Sequence, residues 1–492
     1  MRSQSGARAP RDGVVLETGA SHVRLGTTEM HTEAVPVLAR HPNAIARTRA
    51  GVRRQVLVGD EIEHDCMDYG GLQLRLPIDR GMVVDWAAQK AVWDRALAQR
   101  FGEQGKPYDS FGALEGRTVV VTEPYFALPE QQRAFDMLMF EWYQAAAIWR
   151  TIPAQLVPFA DPRRAECVLV VDCGQSYTHA VPLVRDEVQW RAVKRLDIGG
   201  KVLTSLLKIA FSYKQWNMME ETYLTDKMKA TSCFVAACAN DREDSAASDA
   251  PHDWSFARFV EHFHDDDEND MVQHYVLPDY ARPEDVADPA TKFGYIIAGP
   301  GSKHAPAVHL PEDEAIDQFI VGTAENAVPP KNTEHQVLRL AQERYQLMEN
   351  LFAPQRIGLE QGSLAELVAA AIHGVQDEFQ DLLWGNVVLV GGTAGAKGLR
   401  RRLAYELRTL APTDVPVDVR LADDPVIAPT LGALALLQAP PQSGPGQFLA
   451  SHLVTRDAWL KHGGSAVGAG ERGGTVVGDA RFGDWNAAPA AP

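Results

Sequence analysis

One segment combines the residue types that can bind phosphate and a divalent cation. Within Cys167–Pro182, an apolar run ends in Asp172. A turn of Gly174, Gln175 and Ser176 follows, and a second extended run leads away. This order predicts a buried strand, a tight turn and a returning strand. The N–H groups of such a turn can face phosphate oxygens, and Asp172 can face a phosphate-bound cation. On its own, however, the pattern is more often an ordinary hairpin.

The same order of residue types occurs earlier in the chain. Val14–Ser21 is an apolar run that reaches an acidic residue, a glycine and a serine, and His22–Gly26 returns. A third apolar run, Asn386–Val390, continues directly into two glycines. The repeat predicts two related halves whose turns face a common site. From these three turns we expect the following residues to bind a ligand: Glu17, Thr18, Gly19, Ala20, Asp172, Gly174, Gln175, Ser176, Gly391 and Gly392.

Two hairpins that face each other across a cleft, with a Gly-Gly turn opposite, resemble the nucleotide site of the actin, Hsp70 and sugar-kinase superfamily. Further segments from about Gly13 to Gly463 are similar to actin motifs and occur in the actin order. They are Arg47–Arg49, Val58–Glu61, Leu76–Trp86, Arg195–Thr204, Glu343–Tyr345, Leu351–Pro354 and Thr430–Ala433. The resemblance implies an α/β, actin-like two-lobed ATPase fold, in which duplicated ribonuclease-H-like domains surround a nucleotide cleft.

Other segments favour one class within the family, because they are most similar to the actin-related protein 6 class. These segments are Thr122–Phe126, Met139–Glu141, Tyr177–His179, Leu196–Lys201, Met219–Tyr223 and Tyr275–Tyr280. The family implies lobe boundaries as well. We expect a disordered leader at 1–11, a first lobe at 12–155 plus 431–462, a second lobe at 156–430 and a flexible Gly- and Ala-rich tail at 463–492.

Composition limits the possible classes of protein. The chain has 492 residues, of which 45% are hydrophobic, and a net charge of −17. No apolar run reaches the ~18 residues of a membrane span and no signal peptide is evident, so we expect a soluble intracellular protein. The five cysteines are scattered without a C-x-x-C pair, which favours buried reduced thiols over disulfides or zinc. The net charge argues against a chain that wraps bare nucleic acid.

Much of the negative charge lies in an insert at 240–270. This composition predicts a solvated surface segment that is dispensable for folding, since it cannot bury enough apolar area to offset ordering. An alternative is a surface that attracts basic histone tails. Trp254, Phe256, Phe259 and Phe263 interrupt the acidic residues at near-helical spacing, so a short docking helix is also possible.

The resemblance assigns roles to individual positions at the phosphate end of the cleft. In actin-type ATPases, two acidic strand-end residues hold magnesium through water, and these places correspond to Glu17 and Asp172. Arg24 stands in for a phosphate-contacting lysine, and Gln175 replaces a second acidic residue. The water-orienting glutamine corresponds to Pro153, which offers no side-chain donor or acceptor. A one-turn offset would let Gln155 substitute for it.

The nucleoside end is also altered. Gly200 is the glycine that approaches the nucleotide, and Lys229 is retained. Ala230 occupies the acidic ribose-binding place, and the base-flanking positions are Ala396 and Val426. Each lost hydrogen bond to a ligand is worth about 0.5–1.5 kcal/mol, so several losses weaken affinity by orders of magnitude. His179 is retained, although a histidine on a strand is more often a core residue.

These substitutions predict a protein that does not hydrolyse ATP and has no catalytic residues, although ATP or ADP with magnesium can still bind, with Asp172 near the metal. The class resemblance implies a structural subunit of a nuclear SRCAP-class remodelling complex, which exchanges a variant histone into nucleosomes. Its partners would be a Snf2-type ATPase and zinc-HIT subunits, with indirect contact to nucleosomes and none to membranes. The alternatives are an active ATPase of the superfamily and a filament-forming cytoskeletal protein.

The filament alternative is disfavoured by a short loop. Only nine residues separate Arg49 from Gly59, fewer than in actin, and Arg53 and Arg54 lie near the middle. Inserting such a loop into an apolar cleft of a neighbouring subunit would desolvate guanidinium groups. We therefore predict no homopolymer. Tyr125 and Phe126 are candidate aromatic anchors for a fixed partner, with ordinary core packing as the equal alternative.

Overall fold

The structure is a computed structural model that describes residues 13–28, 38–48, 54–103, 108–237, 256–257, 259–260, 272–280, 291–297, 319–321 and 335–462. The predicted leader at 1–11, most of the acidic insert, residues 49–53 and the tail at 463–492 lie outside these residues. Among the helices described, none is both long and apolar enough to cross a membrane. Four cysteines are free and buried, as predicted, and the fifth, Cys238, is not described.

The strands, in chain order, are β1 Val14–Thr18, β2 His22–Thr27, β3 Ala39–Pro42, β4 Ile45–Arg47, β5 Val56–Val58, β6 Gln73–Arg75, β7 Ile78–Asp79, β8 Met82–Val83, β9 Thr118–Thr122, β10 Ala147–Thr151, β11 Cys167–Cys173, β12 Thr178–Val184, β13 Glu187–Val188, β14 Lys194–Leu196, β15 Gln273–Val276, β16 Tyr295–Ile297, β17 Phe319–Val321, β18 His335–Leu340, β19 Val387–Val390, β20 Val419–Leu421 and β21 Val454–Thr455.

Two central sheets repeat one plan, which confirms the predicted duplication. In the first, with order β21-β10-β9-β1-β2-β3, the hairpin β1–β2 is antiparallel and β1 pairs in parallel with β9. In the second, with order β13-β12-β11-β19-β20, the hairpin β11–β12 is antiparallel and β11 pairs in parallel with β19. Both registers place an acidic residue near the turn, since Glu17 pairs with Arg24 and Asp172 with His179.

Three smaller sheets extend these two. β5, β4 and β6 form an antiparallel sheet beside the first, and β7 pairs with β8. β15, β16, β17 and β18 form a four-stranded sheet after the second. The mixed α/β architecture with duplicated sheets is the predicted actin-like fold.

The helices are α1 Glu61–His64, α2 Trp86–Phe101, α3 Pro129–Met137, α4 Pro153–Ala160, α5 Gly200–Lys214, α6 Thr222–Ser232, α7 Glu343–Glu349, α8 Leu364–His373, α9 Asp377–Trp384, α10 Leu399–Leu410, α11 Ala428–Gln438, α12 Gly444–His452 and α13 Arg456–His462. A π-helical turn, Leu138–Trp142, continues α3. Short 3₁₀ turns cover Trp190–Ala192, Pro354–Ile357 and Gly392–Gly395.

Each large sheet carries its own apolar core. Side chains of β1, β2 and β9 pack with Trp93, Phe135 and Phe140 beneath the first sheet. Alternate side chains of β11 and β19 pack against α5, α6, α8 and α10 beneath the second. The final segment returns to the first sheet, where β21 pairs with β10 and Trp459 stacks on Phe140 at 5.3 Å. The exact lobe boundaries remain a prediction.

The helix that begins at Pro129 is shorter than the spacing of its apolar residues predicts. The pattern of Phe135, Leu138, Met139 and Trp142 is helical, but Ala146 and Trp149 are not on the helix. The backbone leaves the helix after Trp142, and Ala147–Thr151 pairs along β9 as a strand. Pairing with a central strand overrides a helical spacing that these apolar residues also satisfy.

The acidic insert is not wholly separate from the folded core. Ring centroids of Phe256 and Phe259 lie 6.0 and 5.1 Å from Tyr345. Arg356 lies over the Phe256 ring, and Phe259 also meets Phe234. Replacement of the entire segment 240–270 would remove these contacts, and the dispensability of the segment for folding stays a prediction. The acidic residues and Trp254 lie outside the described residues.

Candidate functional site

A cavity of about 540 Å³ lies between the two sheets, at the ends of the hairpin strands. That volume is in the range of small-molecule sites. Twelve of the thirteen residues predicted to bind a ligand line it: Glu17, Thr18, Gly19, Ala20, Arg24, Asp172, Gly174, Gln175, Ser176, Lys229, Gly391 and Gly392. Gly200 does not line it but lies directly behind, where its N–H donates to the carbonyl of Gly174 at 3.0 Å. The structure therefore brings the three predicted turns together.

The first hairpin places an ion pair in this cavity. Arg24 on β2 lies opposite Glu17 on β1, and Nη1 of Arg24 donates to Oε1 of Glu17 at 2.5 Å. The hydroxyl of Thr430, from α11, donates to Oε2 of Glu17. Both oxygens of the Glu17 carboxylate thus accept hydrogen bonds from the protein. The carboxylate and the guanidinium are both largely buried.

The second hairpin is contacted by an aromatic side chain from the first half. The hydroxyl of Tyr125 donates to Oδ2 of Asp172 at 2.7 Å. The Tyr125 ring stacks on His179 with centroids 4.0 Å apart and an interplanar angle of 21°. Burial raises the pKa of Asp172 to about 6, against a lowering effect of the Tyr125 hydrogen bond. Burial also lowers the pKa of His179 to about 3, and the charge of Arg195 lowers it further.

These contacts bear on the two interpretations of Tyr125 and Phe126. Tyr125 packs inside the cleft, and Phe126 contacts Trp190 edge-on at 5.8 Å. Both join the apolar cluster that includes Val170 and Val390. Both rings therefore pack within the protein, as the core-packing alternative predicts, and a role as anchors for a partner stays a prediction.

Gln155 does not take the place of the water-orienting glutamine that corresponds to Pro153. Pro153, the first residue of α4, lines the cavity. Oε1 of Gln155 accepts from the hydroxyl of Thr151 at 2.6 Å, and its Nε2 donates to the carbonyl of Asp186 at 3.1 Å. Both polar atoms of the Gln155 side chain are therefore engaged in hydrogen bonds within the protein, and the residue does not line the cavity. A one-turn offset does not restore a water-orienting group.

The other end of the cavity is arranged around Lys229. Its Nζ donates to Oδ1 of Asp226 and to the hydroxyl of Thr204, both at 2.7 Å, and to the carbonyl of Gly200 at 3.0 Å. Asp226 also lines the cavity, and its pKa is lowered by Lys229 despite burial. Ala230, Ala396 and Val426 line the same end, as expected. Small apolar side chains therefore lie at this end beside Lys229 and the carboxylate of Asp226, which α6 contributes one turn before Ala230.

Sequence reasoning missed several cavity residues. Tyr125 and Asp226 were not proposed as site residues, and neither were His22 and Arg40. The spacing of Asp226 and Ala230, four residues apart on α6, was a usable signal that both share one face. Nothing in the sequence indicated that the Tyr125 hydroxyl would reach Asp172, because the two belong to different halves.

The lining of the cavity bears on the two expected ligands, a nucleotide and magnesium. Its size and its glycine-rich turns are compatible with a nucleoside polyphosphate. Within the described residues, no group of three His, Cys, Asp or Glu side chains is placed to hold a metal. The two carboxylates expected near the cation, Glu17 and Asp172, already accept hydrogen bonds from Arg24, Thr430 and Tyr125. The metal site expected at Asp172 stays a prediction, and among the described residues the Tyr125 hydrogen bond is the contact that bears on it.

Comparison with known proteins agrees with this geometry. The family model described as actin matches residues 9–437. The chain is 30% identical over 460 residues to the actin-like protein ARP6 of Cryptococcus neoformans, covering 92% of this chain and 83% of that protein. The chain belongs to the actin-related protein 6 branch of the actin family.

Two further relatives support this placement within the actin family. The chain is 30% identical to the actin-like protein ARP6 of Yarrowia lipolytica, over 82% of this chain and 86% of that protein. It is 29% identical to actin-related protein 6 of Drosophila melanogaster, over 84% and 89%. In this member of the actin family, Pro153, Glu17 and Tyr125 line the cavity between the two central sheets.

Proposed function

We propose that this member of the actin family is a structural subunit that does not hydrolyse ATP. The contact of Tyr125 with Asp172 carries the proposal. Phosphoryl-transfer catalysis depends on a positioned water and preorganised polarity. Here an aromatic ring lies at the cation-facing carboxylate, and Pro153 lines the cavity where a water-orienting side chain is needed.

The proposed complex is inferred from the class to which its relatives belong. Their printed names give only the actin-related protein 6 class. From that class we propose a nuclear SRCAP-class complex that exchanges a variant histone into nucleosomes, with a separate Snf2-type ATPase as motor and zinc-HIT subunits as neighbours. Contact with nucleosomal histones would be indirect.

Turnover is tested on the purified full chain by steady-state release of phosphate from ATP with magnesium. We expect no release above that of an Asp172→Ala variant, since the native site already lacks a water-orienting group. Release that disappears in Asp172→Ala would identify a working ATPase and overturn the proposal.

The structural role is tested by native purification from nuclear extract and identification of the co-eluting subunits. We expect a remodeller ATPase and its zinc-HIT subunit. Recovery with cytoskeletal proteins alone would contradict it.

The filament alternative depends on the loop between Arg49 and Gly59, of which 49–53 lie outside the described residues. Its separate test is sedimentation at high protein concentration with magnesium and ATP. We expect no polymer.

A further inference from the structure

Helix α5 carries apolar residues on its outer side as well as on the side that faces the core. Leu203, Leu207 and Phe211 are fully buried beneath the second sheet. Ile209 and Tyr213 lie on the outer side, where they are 53% and 81% exposed. A helix that is apolar all round is normally covered on every side. The sequence of α5 therefore indicates a covering that the part of the chain described by the structure does not supply.

The exposed apolar residues form one continuous surface. Ser205, Ile209 and Tyr213 follow one another at four-residue intervals, so they share one face of the helix. Met219 is 48% exposed and adjoins this face, because its carbonyl accepts from Nζ of Lys208 at 3.2 Å. Single exposed apolar residues are ordinary, whereas adjoining ones indicate a binding surface. We call Ser205, Ile209, Tyr213 and Met219 the outer face of α5.

The charge of α5 indicates what kind of partner would cover this face. The helix contains Lys201, Lys208 and Lys214 and no Asp or Glu, in a chain whose net charge is −17. Lys201 and Lys208 are seven residues apart and therefore lie along the same side of the helix. Among the described residues no carboxylate pairs with Lys208, whose Nζ donates to the carbonyl of Met219 and the hydroxyl of Thr222. An acidic partner would complement these charges, whereas a second copy of the chain would bring like charges together.

We propose that the outer face of α5 binds an amphipathic α-helix of another subunit, whose apolar residues pack on Ile209 and Tyr213 and whose acidic residues face the lysines of α5. Packed helices meet through ridges of residues four apart, which is the spacing of Ser205, Ile209 and Tyr213. An apolar helix face with charges beside it is a common mode of recognition between proteins. This inference rests on the proposed function only in that the chain works inside an assembly of other proteins.

The test is carbodiimide cross-linking of the natively purified assembly, followed by mass spectrometry of the linked peptides. This reagent joins a lysine amine to a carboxylate directly, with no spacer between them. The ion pairs of Lys201 with Asp79 and of Lys214 with Glu343 provide reference links within the chain. We expect further links from the lysines of α5 to Asp or Glu residues of a co-purified subunit, in a segment whose apolar residues recur at three- and four-residue steps.

Matched variants connect the result to the outer face. Ile209→Glu removes an apolar contact and places a carboxylate against the acidic partner, so links to the partner should fall at least about tenfold relative to the reference links. Leu382→Glu makes the same kind of change on α9, at a leucine that is 52% exposed, and should keep the native links. Tyr213→Ser is a second variant of the outer face and should also lose the links. Thermal unfolding of each purified variant checks that the fold is kept.

Three results would overturn the inference. They are links from the α5 lysines to carboxylates of this chain alone, links to a second copy of the chain, which mass-labelled protein distinguishes, and partner links that change equally in Ile209→Glu and Leu382→Glu. The subunits recovered decide the proposed function, whereas the position of the links decides this inference. Remodeller subunits without links at α5 would overturn the inference alone. Links to an acidic helix of a cytoskeletal protein would overturn the proposed function alone.

Discussion

Asp172 is a partly buried carboxylate whose ionisation works against the folded state. Burial raises its pKa from an ordinary value of 3.8 to about 6. The folded protein therefore binds this proton more tightly than the unfolded chain does. Between about pH 4 and pH 6 the free energy of unfolding falls as pH rises, and above pH 6 the full penalty is present. A neutral side chain at this position would remove the penalty.

We predict that Asp172→Asn stabilises the protein at neutral pH. The amide oxygen of asparagine can still accept from Tyr125. The gain in the free energy of unfolding, relative to the native chain, should grow between about pH 4 and pH 6. It should reach about 1–3 kcal/mol, at 1.36 kcal/mol per pKa unit. Urea unfolding across pH 4–8 measures it. Asp414→Asn, at an exposed carboxylate, controls for the lost charge. A difference between the Asp172→Asn and native chains that does not change with pH would refute the prediction.

The sequence assigns a role to a single residue where that role depends on its neighbours in the chain. Glu17, Gly19, Asp172 and Gly174 lie in short turns that their own neighbours define, and all four line the cavity. For Tyr125 the sequence leaves a partner anchor and core packing as equal alternatives, because its contacts, Asp172 and His179, are more than forty residues away along the chain. Contacts between the two halves are set by packing, which no short motif records.

At the level of elements, the crossing of α4 and α11 depends on one glycine. A Cβ at Gly432, on α11, would lie 1.9 Å from the carbonyl oxygen of Leu156, on α4. No side chain fits there unless the two helices move apart. Their contact buries Leu156 with Ala433 and Leu436. Gly432 is therefore required by the close approach of the two helices.

We predict that Gly432→Ala destabilises the protein by about 3 kcal/mol or more, at the upper end of the cost of overpacking. Alanine favours a helix more than glycine does, so the loss would come entirely from the clash. Thermal unfolding measures it. The matched control is Gly444→Ala in α12, where a Cβ would meet no atom within 4 Å. If Gly432→Ala unfolds at the same temperature as the control, the helices are not constrained at this point.

Elements could be predicted where a periodic pattern and the pairing partners agreed. The run of β-branched residues in Thr118–Thr122 predicts a strand, and it forms one in a central position between β1 and β10. The leucine spacing from Lys397 to Leu410 predicts a helix, which begins at Leu399 and whose last leucine is exposed. Its Arg402 is buried because the guanidinium donates to Glu349 and Glu406, a network that helical periodicity does not reveal.

At the scale of the whole molecule, an aromatic cluster joins the two halves across the cleft. Tyr69, in the segment after α1, stacks on Tyr223 of α6 at 5.5 Å and meets Phe293 edge-on at 5.0 Å. Oε1 of Glu63 accepts from the hydroxyl of Tyr223 at 2.8 Å and from Nζ of Lys227 at 3.0 Å. We call these five residues the clasp. It holds the small sheet of the first half against α6 of the second.

The clasp predicts that the cleft stays closed without a ligand. An aromatic pair contributes about 0.5–1.5 kcal/mol beyond its buried area, and a hydrogen bond to a charged group about 1.5–3 kcal/mol. Tyr223→Ala removes the ring contact with Tyr69 and the hydrogen bond to Glu63. The two halves should therefore separate while each keeps its own core.

We expect faster amide hydrogen exchange in Glu61–His64 and Thr222–Ser232 and a larger radius of gyration in solution scattering, because local opening becomes less costly. Tyr213→Ala, at a tyrosine of α5 that is 81% exposed, is the matched control and should change neither measurement. If Tyr223→Ala leaves both at native values, packing elsewhere closes the cleft. If it changes both, the clasp fixes the relative position of the two halves.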